Sequence, residues 1–285
     1  MAIREKVETA FGESYEAVRD QAHAHTMAAQ AWLSTRAPEA MTGTWAGGRY
    51  TSSGLPRGLL NLVLDGQFDA GMSEAEIEAA VDEMGALYAE RGVPWDWWVG
   101  PAPTPCHLPE LLDRWGFAMV SLPCMAKALD REGWRRRSMT PVSSIHVWRA
   151  RDMGDLRAAS RVRQQGFSWP DGVAETYFED MGDDWLAGDP ARLFLAGRQG
   201  GQAEAIGAWI RAGGIGGVYV MAVLPSAQRQ GLGQAVLRAL IDDAQQAGER
   251  MLALTASRKG FGLYQQFGFM HLFDYQVFYR TLDER

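Results

Sequence analysis

Residues 218–225, Val-Tyr-Val-Met-Ala-Val-Leu-Pro, and residues 228–235, Gln-Arg-Gln-Gly-Leu-Gly-Gln-Ala, constrain this chain more than any other stretch. The first run is apolar, β-branched and aromatic without polar alternates, which predicts a strand buried on both faces. Pro225 ends it because proline has no backbone N–H to give. The second run is glycine-rich and leads into Val236-Leu-Arg-Ala-Leu-Ile241, whose apolar spacing is helical. Gly231 and Gly233 let the backbone turn tightly and approach a ligand closely. The free amides at the helix start, with the helix dipole behind them, then face an anion such as a pyrophosphate. The plainer alternative is a helix that happens to begin with glycines.

Three glycine-loop patterns compete. A Walker A loop needs a lysine after its last glycine, and none is present. The dinucleotide fingerprint G-x-G-x-x-G loses its third glycine to Val236. The third pattern, Q/R-x-x-G-x-G/A, is met by Gln228, Gly231 and Gly233. A second motif follows: Leu263-Tyr-Gln-Gln-Phe-Gly-Phe269, after a helix to about Ala247, a stop at Gly248 and the apolar run Met251–Thr255. In these two motifs and their order the sequence resembles the GNAT superfamily of acyl-CoA-dependent N-acetyltransferases, over about residues 145–285.

The resemblance implies acetyl-CoA as co-substrate, no metal, and a small-molecule or peptide amine as acceptor. The backbone of Met221, Ala222 and Val223 would pair with the pantetheine arm. Gln228, Arg229, Gln230, Gly231, Leu232, Gly233 and Gln234 would wrap the pyrophosphate. Tyr264 would protonate the departing CoA thiolate as general acid, since a phenol keeps its proton at neutral pH. The amine would attack the thioester directly. The chain departs from the family pattern at Ser257, where an asparagine is usual, and at Gly260, where an alanine is usual. Ser257 still has a hydroxyl to bond with, at shorter reach. No glutamate base stands on the central strand, where Tyr219 and Met221 lie. Glu175, Glu179 and Asp180 are candidates by locality, beside a water relay or an amine that arrives neutral. The aromatic and acidic segment 167–180 is read evenly as an acceptor wall or as a packing lid.

With 285 residues the chain has room for two domains. A net charge of −7 argues against a general nucleic-acid surface. No apolar run reaches membrane-spanning length and the N-terminus lacks a signal-peptide core, so a cytoplasmic protein without membrane contact is expected. Two cysteines are too few for a disulfide framework. His23 and His25 sit two apart on a predicted helix within residues 3–34, on different faces, and are read as ordinary, partly exposed histidines.

The chain also echoes itself. Gly92, Trp95–Val99, Pro109–Trp115 and Gly116-Phe117 run in the same order as Gly248, Met251–Thr255, Lys259–Phe267 and Gly268-Phe269. We therefore expect an α/β (α+β) fold of two tandem GNAT-like domains, each a mixed twisted sheet flanked by helices. Residues 1–130 would form a degenerate copy with N-terminal helices, 131–144 a linker containing Arg135 to Arg137, and 145–285 the acetyl-CoA-binding domain. The glycine loop falls opposite Gly71–Glu78, whose carboxylates repel a pyrophosphate, and Tyr264 falls opposite Leu112. Ser73 to Glu76 forms a capping box that opens a helix to about Glu90, and Leu59–Leu64 reads as a strand. Either a monomer or a homodimer is compatible with this reading. The competing function is a catalytically silent CoA-binding sensor or interaction scaffold.

Overall fold

A computed structural model describes residues 2–129, 144–198 and 200–280. The expected linker 131–144, with Arg135 to Arg137, lies outside the described residues except for Ser144. The chain forms two compact units. One comprises Met1–Thr26, Met125–Leu254 and Lys259–His271, and the other Met27–Cys124, Thr255–Arg258 and Leu272–Arg285. Each unit is therefore assembled from separate stretches of chain.

The first unit begins with α1 (Ile3–Phe11) and the first part of α2 (Tyr15–Ser34). Its sheet uses the end of β5 (Ala118–Ala128), β6 (Ile145–Arg149), β7 (Ala191–Arg198), β8 (Ala205–Ala212), β9 (Ile215–Val223) and β10 (Met251–Thr255), in the order β5-β10-β9-β8-β7-β6. β6 through β9 are antiparallel, whereas β9 and β10 are parallel. The helices are α5 (Met153–Phe167), the short α6 (Val173–Glu175), α7 (Gly182–Ala187), α8 (Leu232–Gln246) and α9 (Phe261–Gln266). Helix α8 is amphipathic: Val236, Leu237, Leu240 and Ile241 are all buried, each stabilising the unit by roughly 2 kcal/mol.

The second unit holds β1 (Met41–Trp45), β2 (Gly48–Ser52), β3 (Asn61–Leu64) and β4 (Asp96–Val99), with α3 (Glu74–Glu90) and α4 (Leu108–Arg114). β11 (Met270–Tyr279) contributes its last residues here, where Gln276 to Tyr279 pair antiparallel with Val99 to Asp96. Phe278 thus joins the core of Val63, Ile77, Val81, Tyr88, Trp97 and Leu112. The capping box of α3 is present: Ser73 accepts from the Glu76 amide, and the Glu76 carboxylate accepts from the Ser73 amide at 2.8 Å.

Two local expectations need correction. The strand read as Leu59–Leu64 starts at Asn61, after a tight turn at Gly58–Leu60. Asn61 is fully buried; its amide donates to the carbonyls of Leu55, Arg57 and Pro94 and accepts from Ser52 and Ser53. A buried amide must bond fully, and these partners bend the chain before the ladder begins. His25 was read as partly exposed, yet it is completely buried. It lies on the apolar stripe Val18, Ala22, His25, Ala29, Leu33 of α2.

Candidate active site

The site grows from β9. β10 pairs with it at Leu252–Gly216 and Ala253–Gly217, and residues 218–223 run on past the last paired position. Opposite β8 the ladder slips between Ile206 and Ala208, and Val220 takes φ 48. A β-branched residue in this region is a true conformational outlier, and the bulge it makes breaks the strict alternation of side chains. Gly217 therefore faces His25, whereas Met221 packs toward Val236 and Leu240 of α8. Bulge and divergence together set Met221, Ala222 and Val223 apart from the regular ladder.

The loop that follows presents its amides. Pro225–Ala227 make a tight turn, Gln228 is extended, and Arg229 and Gly231 both have positive φ, 59 and 85. Left-handed residues interleaved in this way are the backbone conformation from which anion-binding concavities are built. Gly231 is the N-cap of α8, with no side-chain cap and no acidic residue in the first turn. The first intrahelical bond runs from the Ala235 amide to the Gly231 carbonyl, so the amides of Leu232, Gly233 and Gln234 precede the ladder. Gln230 is braced: its amide donates to the Ser226 carbonyl at 2.9 Å, and Arg198 donates to its side-chain oxygen. Gln228, Arg229 and Gln230 are exposed, whereas Leu232 is buried and anchors the helix start. α3 shows the contrast, for its N-terminus is already occupied by Ser73 and the Glu76 carboxylate.

Three elements meet at Val223. A methyl group placed on Gly166 of α5 would lie 3.2 Å from the Ala222 Cβ and 3.5 Å from the Val223 carbonyl oxygen. On Gly233 it would lie 3.5 Å from Val223 Cγ2 and 3.8 Å from Leu263 Cδ2. Tyr264, next to Leu263, is buried and meets Phe269 edge-on at 5.8 Å. Burial pushes its phenol up to about 12, against the downward pull of the Arg163 charge. Ser257 lies exposed between β10 and α9, in the stretch Thr255–Arg258 that belongs to the second unit.

Among the carboxylates, Glu179 pairs with Arg157 at 3.5 Å and Asp180 is exposed. One oxygen of Glu175 is buried without a hydrogen-bond partner among the described residues. The aromatic residues of this segment are largely packing: Trp169, Tyr177 and Phe178 are buried, and Tyr177 and Phe178 both contact Trp185. Thr176–Asp180 forms a wide helical turn, a distortion often found at functional sites. Sequence reasoning missed Arg163. It is 5% exposed, and its position on the buried stripe Leu156, Ser160, Arg163 of α5 was the available signal.

Residues 156–269 match the family model of the acetyltransferase (GNAT) family. This segment is similar to the GNAT acetyltransferases. It takes in all of β9, the glycine loop, α8 and Tyr264. No curated protein matches the chain. Solved structures extend the likeness of fold beyond the matched segment. A GCN5-related N-acetyltransferase from Kribbella flavida is 17% identical with a TM-score of 0.62, the match covering 88% of this chain and 93% of that one. One from Sphaerobacter thermophilus is 18% identical with a TM-score of 0.58, covering 79% and 74%. A functionally unknown conserved protein from Staphylococcus epidermidis is 12% identical with a TM-score of 0.58, covering 79% and 86%. Among the described residues no helix is long and apolar enough to cross a membrane, and no group of three or more His, Cys, Asp or Glu side chains is placed to hold a metal ion.

Proposed function

We propose that the chain is an acetyl-CoA-dependent N-acetyltransferase acting on a small-molecule or peptide amine. The observation that carries this reading is the parting of β9 from β10 directly before the uncapped start of α8. An open backbone edge suits the amide-rich pantetheine arm, and the loop 228–234 suits its pyrophosphate. The exposed Ser257 is the least supported of the proposed cofactor contacts, and Arg229 serves chiefly through its backbone.

In the proposed reaction the neutral amine attacks the thioester carbon. The carbon–sulfur bond breaks, and Tyr264 gives its proton to the sulfur. A buried phenol retains that proton at every physiological pH. The chain's own part is to orient the thioester along β9, to exclude water and to hold this proton. We keep the first half of the sequence as a degenerate copy of the fold, since α3 begins with carboxylates where α8 begins with free amides.

Thermal unfolding with and without acetyl-CoA tests the reading, beside a Gly231→Asp variant. Ligand at 100 times its dissociation constant adds about 2.7 kcal/mol to the native state. The wild type gains this and the aspartate variant does not, because its carboxylate fills the anion nest. Equal gains in both proteins would remove the cofactor from this loop. No gain in either would leave a fold without the co-substrate.

A further inference from the structure

β6 is the last strand of the sheet in the first unit, and among the described residues no strand pairs with its outer side. The ladder with β7 fixes which backbone groups face outward. The Ala150 amide donates to the Leu193 carbonyl at 2.8 Å, and the register sets Trp148 opposite Leu195 and His146 opposite Gly197. Antiparallel pairs alternate between bonded and unbonded. His146 and Trp148 therefore turn their N–H and C=O groups to β7, while Val147 and Arg149 turn theirs outward. The next amide on the outer side, that of Arg151, donates to the Asp155 carboxylate at 2.9 Å and closes the edge where α5 begins. An open cleft of about 920 Å³ follows the edge, lined by Val147, Arg149 and Arg151 with Trp148, Phe194 and Arg198. The nearby carboxylates are engaged: Asp152 accepts from the Asp155 amide at 3.0 Å, and Asp155 also accepts from the Trp148 indole at 2.8 Å. Arg198 is tied to Glu204 and Gln230. Arg149, which rests against Gly188, and Arg151 have no carboxylate partner among the described residues.

We propose that the free edge of β6 docks an extended acidic segment of a partner protein as an added strand. Successive side chains of a strand point to opposite faces, so Val147 and Arg149 share one face and His146 and Trp148 the other. The His146 and Trp148 rings are stacked 5.4 Å apart. A strand laid along this edge meets guanidinium groups on one face and aromatic rings on the other. Alternating acidic and apolar residues match both: carboxylates pair with Arg149 and Arg151, and β-branched side chains lie against Trp148. The backbone bonds to Val147 and Arg149 supply affinity and the side chains supply selectivity. A second copy of this chain is disfavoured, because two β6 edges joined about a two-fold axis bring the same arginines together. Charged side chains guard sheet edges against such pairing, and the charge that repels a second copy attracts an acidic strand. The inference is independent of the acetyltransferase reading.

The test uses the full chain and a fluorescein-labelled peptide of alternating glutamate and valine, about six residues long, followed by fluorescence anisotropy. The wild type binds it saturably, and the same peptide with lysine in place of glutamate does not bind. Arg149→Glu and Arg151→Glu each raise the dissociation constant about tenfold. Val147→Pro does the same, since proline removes an outward donor that the β6–β7 ladder does not use. If the proline variant fails to fold, a peptide N-methylated at alternate residues decides with the wild type: loss of binding supports strand addition, and undiminished binding shows a charge patch alone and overturns it. Amide hydrogen exchange by NMR reads the register, with Val147 and Arg149 gaining protection on binding and His146 and Trp148 protected throughout. Protection elsewhere than on β6, equal binding of the lysine peptide, or no saturation up to about 1 mM would each overturn the proposal. So would a dimer of the wild type in sedimentation that Val147→Pro dissolves, which would give the edge to a second copy.

Discussion

The glycine run 213–217 has a structural purpose that a single substitution exposes. A β-carbon on Gly217 would collide with His25 Nε2, lying also 2.8 Å from its Cδ2 and 2.9 Å from the Ala253 carbonyl oxygen. One on Gly213 would come within 3.1 Å of the His25 backbone. The imidazole is fixed, since its Nδ1 lies 2.8 Å from the Ala212 carbonyl oxygen and its ring lies 5.8 Å from that of Tyr219. Gly217→Ala therefore forces α2 away from β9, at about 2–3 kcal/mol for overpacking a closed site. His25→Ala alone removes the imidazole and orphans the Ala212 carbonyl, at about 2–3 kcal/mol as well. The double variant has room for the new methyl group, so the two losses do not add. The coupling is about 1–2 kcal/mol, the part relieved by removing the ring while the Ala253 carbonyl contact persists. Urea unfolding of the four proteins at pH 7.5 measures it. Additive losses would mean that the glycine and the histidine do not meet.

The same histidine sets a pH dependence. Burial brings the His25 pKa from 6.5 down to about 4, against the opposing pull of the Ala212 and Ile215 carbonyls. Its folded pKa lies below its unfolded one, so the stability it confers is complete above about 6.5 and is lost as pH falls through about 4. The loss is about 3 kcal/mol, and it disappears in His25→Ala, as urea titrations at pH 7.5 and 4 would show; equal acid sensitivity in both proteins would contradict the buried neutral ring. Ser73→Ala removes the cap of α3 and costs about 1 kcal/mol, read as a lower urea midpoint with an unchanged slope. An unaltered midpoint would show that the capping box adds nothing to the second unit.

Much of the scaffold around the candidate site was legible in residue order alone. The buried strand, the positive-φ glycine and the amphipathic helix are local consequences of β-branched runs, glycine freedom and helical spacing, so 218–223, Gly231 and α8 stand where the pattern places them. The capping box at Ser73 is local for the same reason. Other features depended on contacts between distant residues. Gly217 looks like loop material until His25, far away along the chain, is seen to need its space. Val220 carries no sequence mark of its positive φ, because the bulge is imposed by the ladder with β8. Asn61 shortens a strand through carbonyls contributed by three separate positions.

Residue order set the elements that short-range chemistry controls: where strands and helices run, and which helix begins with glycine in place of a capping side chain. The tertiary structure alone decided what surrounds them. It divided the chain into two units built from interleaved stretches, parted β9 from β10 after Gly217, and buried an arginine of α5 against the rings of Phe167 and Trp169. The physical reason is range. Backbone propensity acts over a few residues, whereas burial, desolvation and the field of a charge act through space.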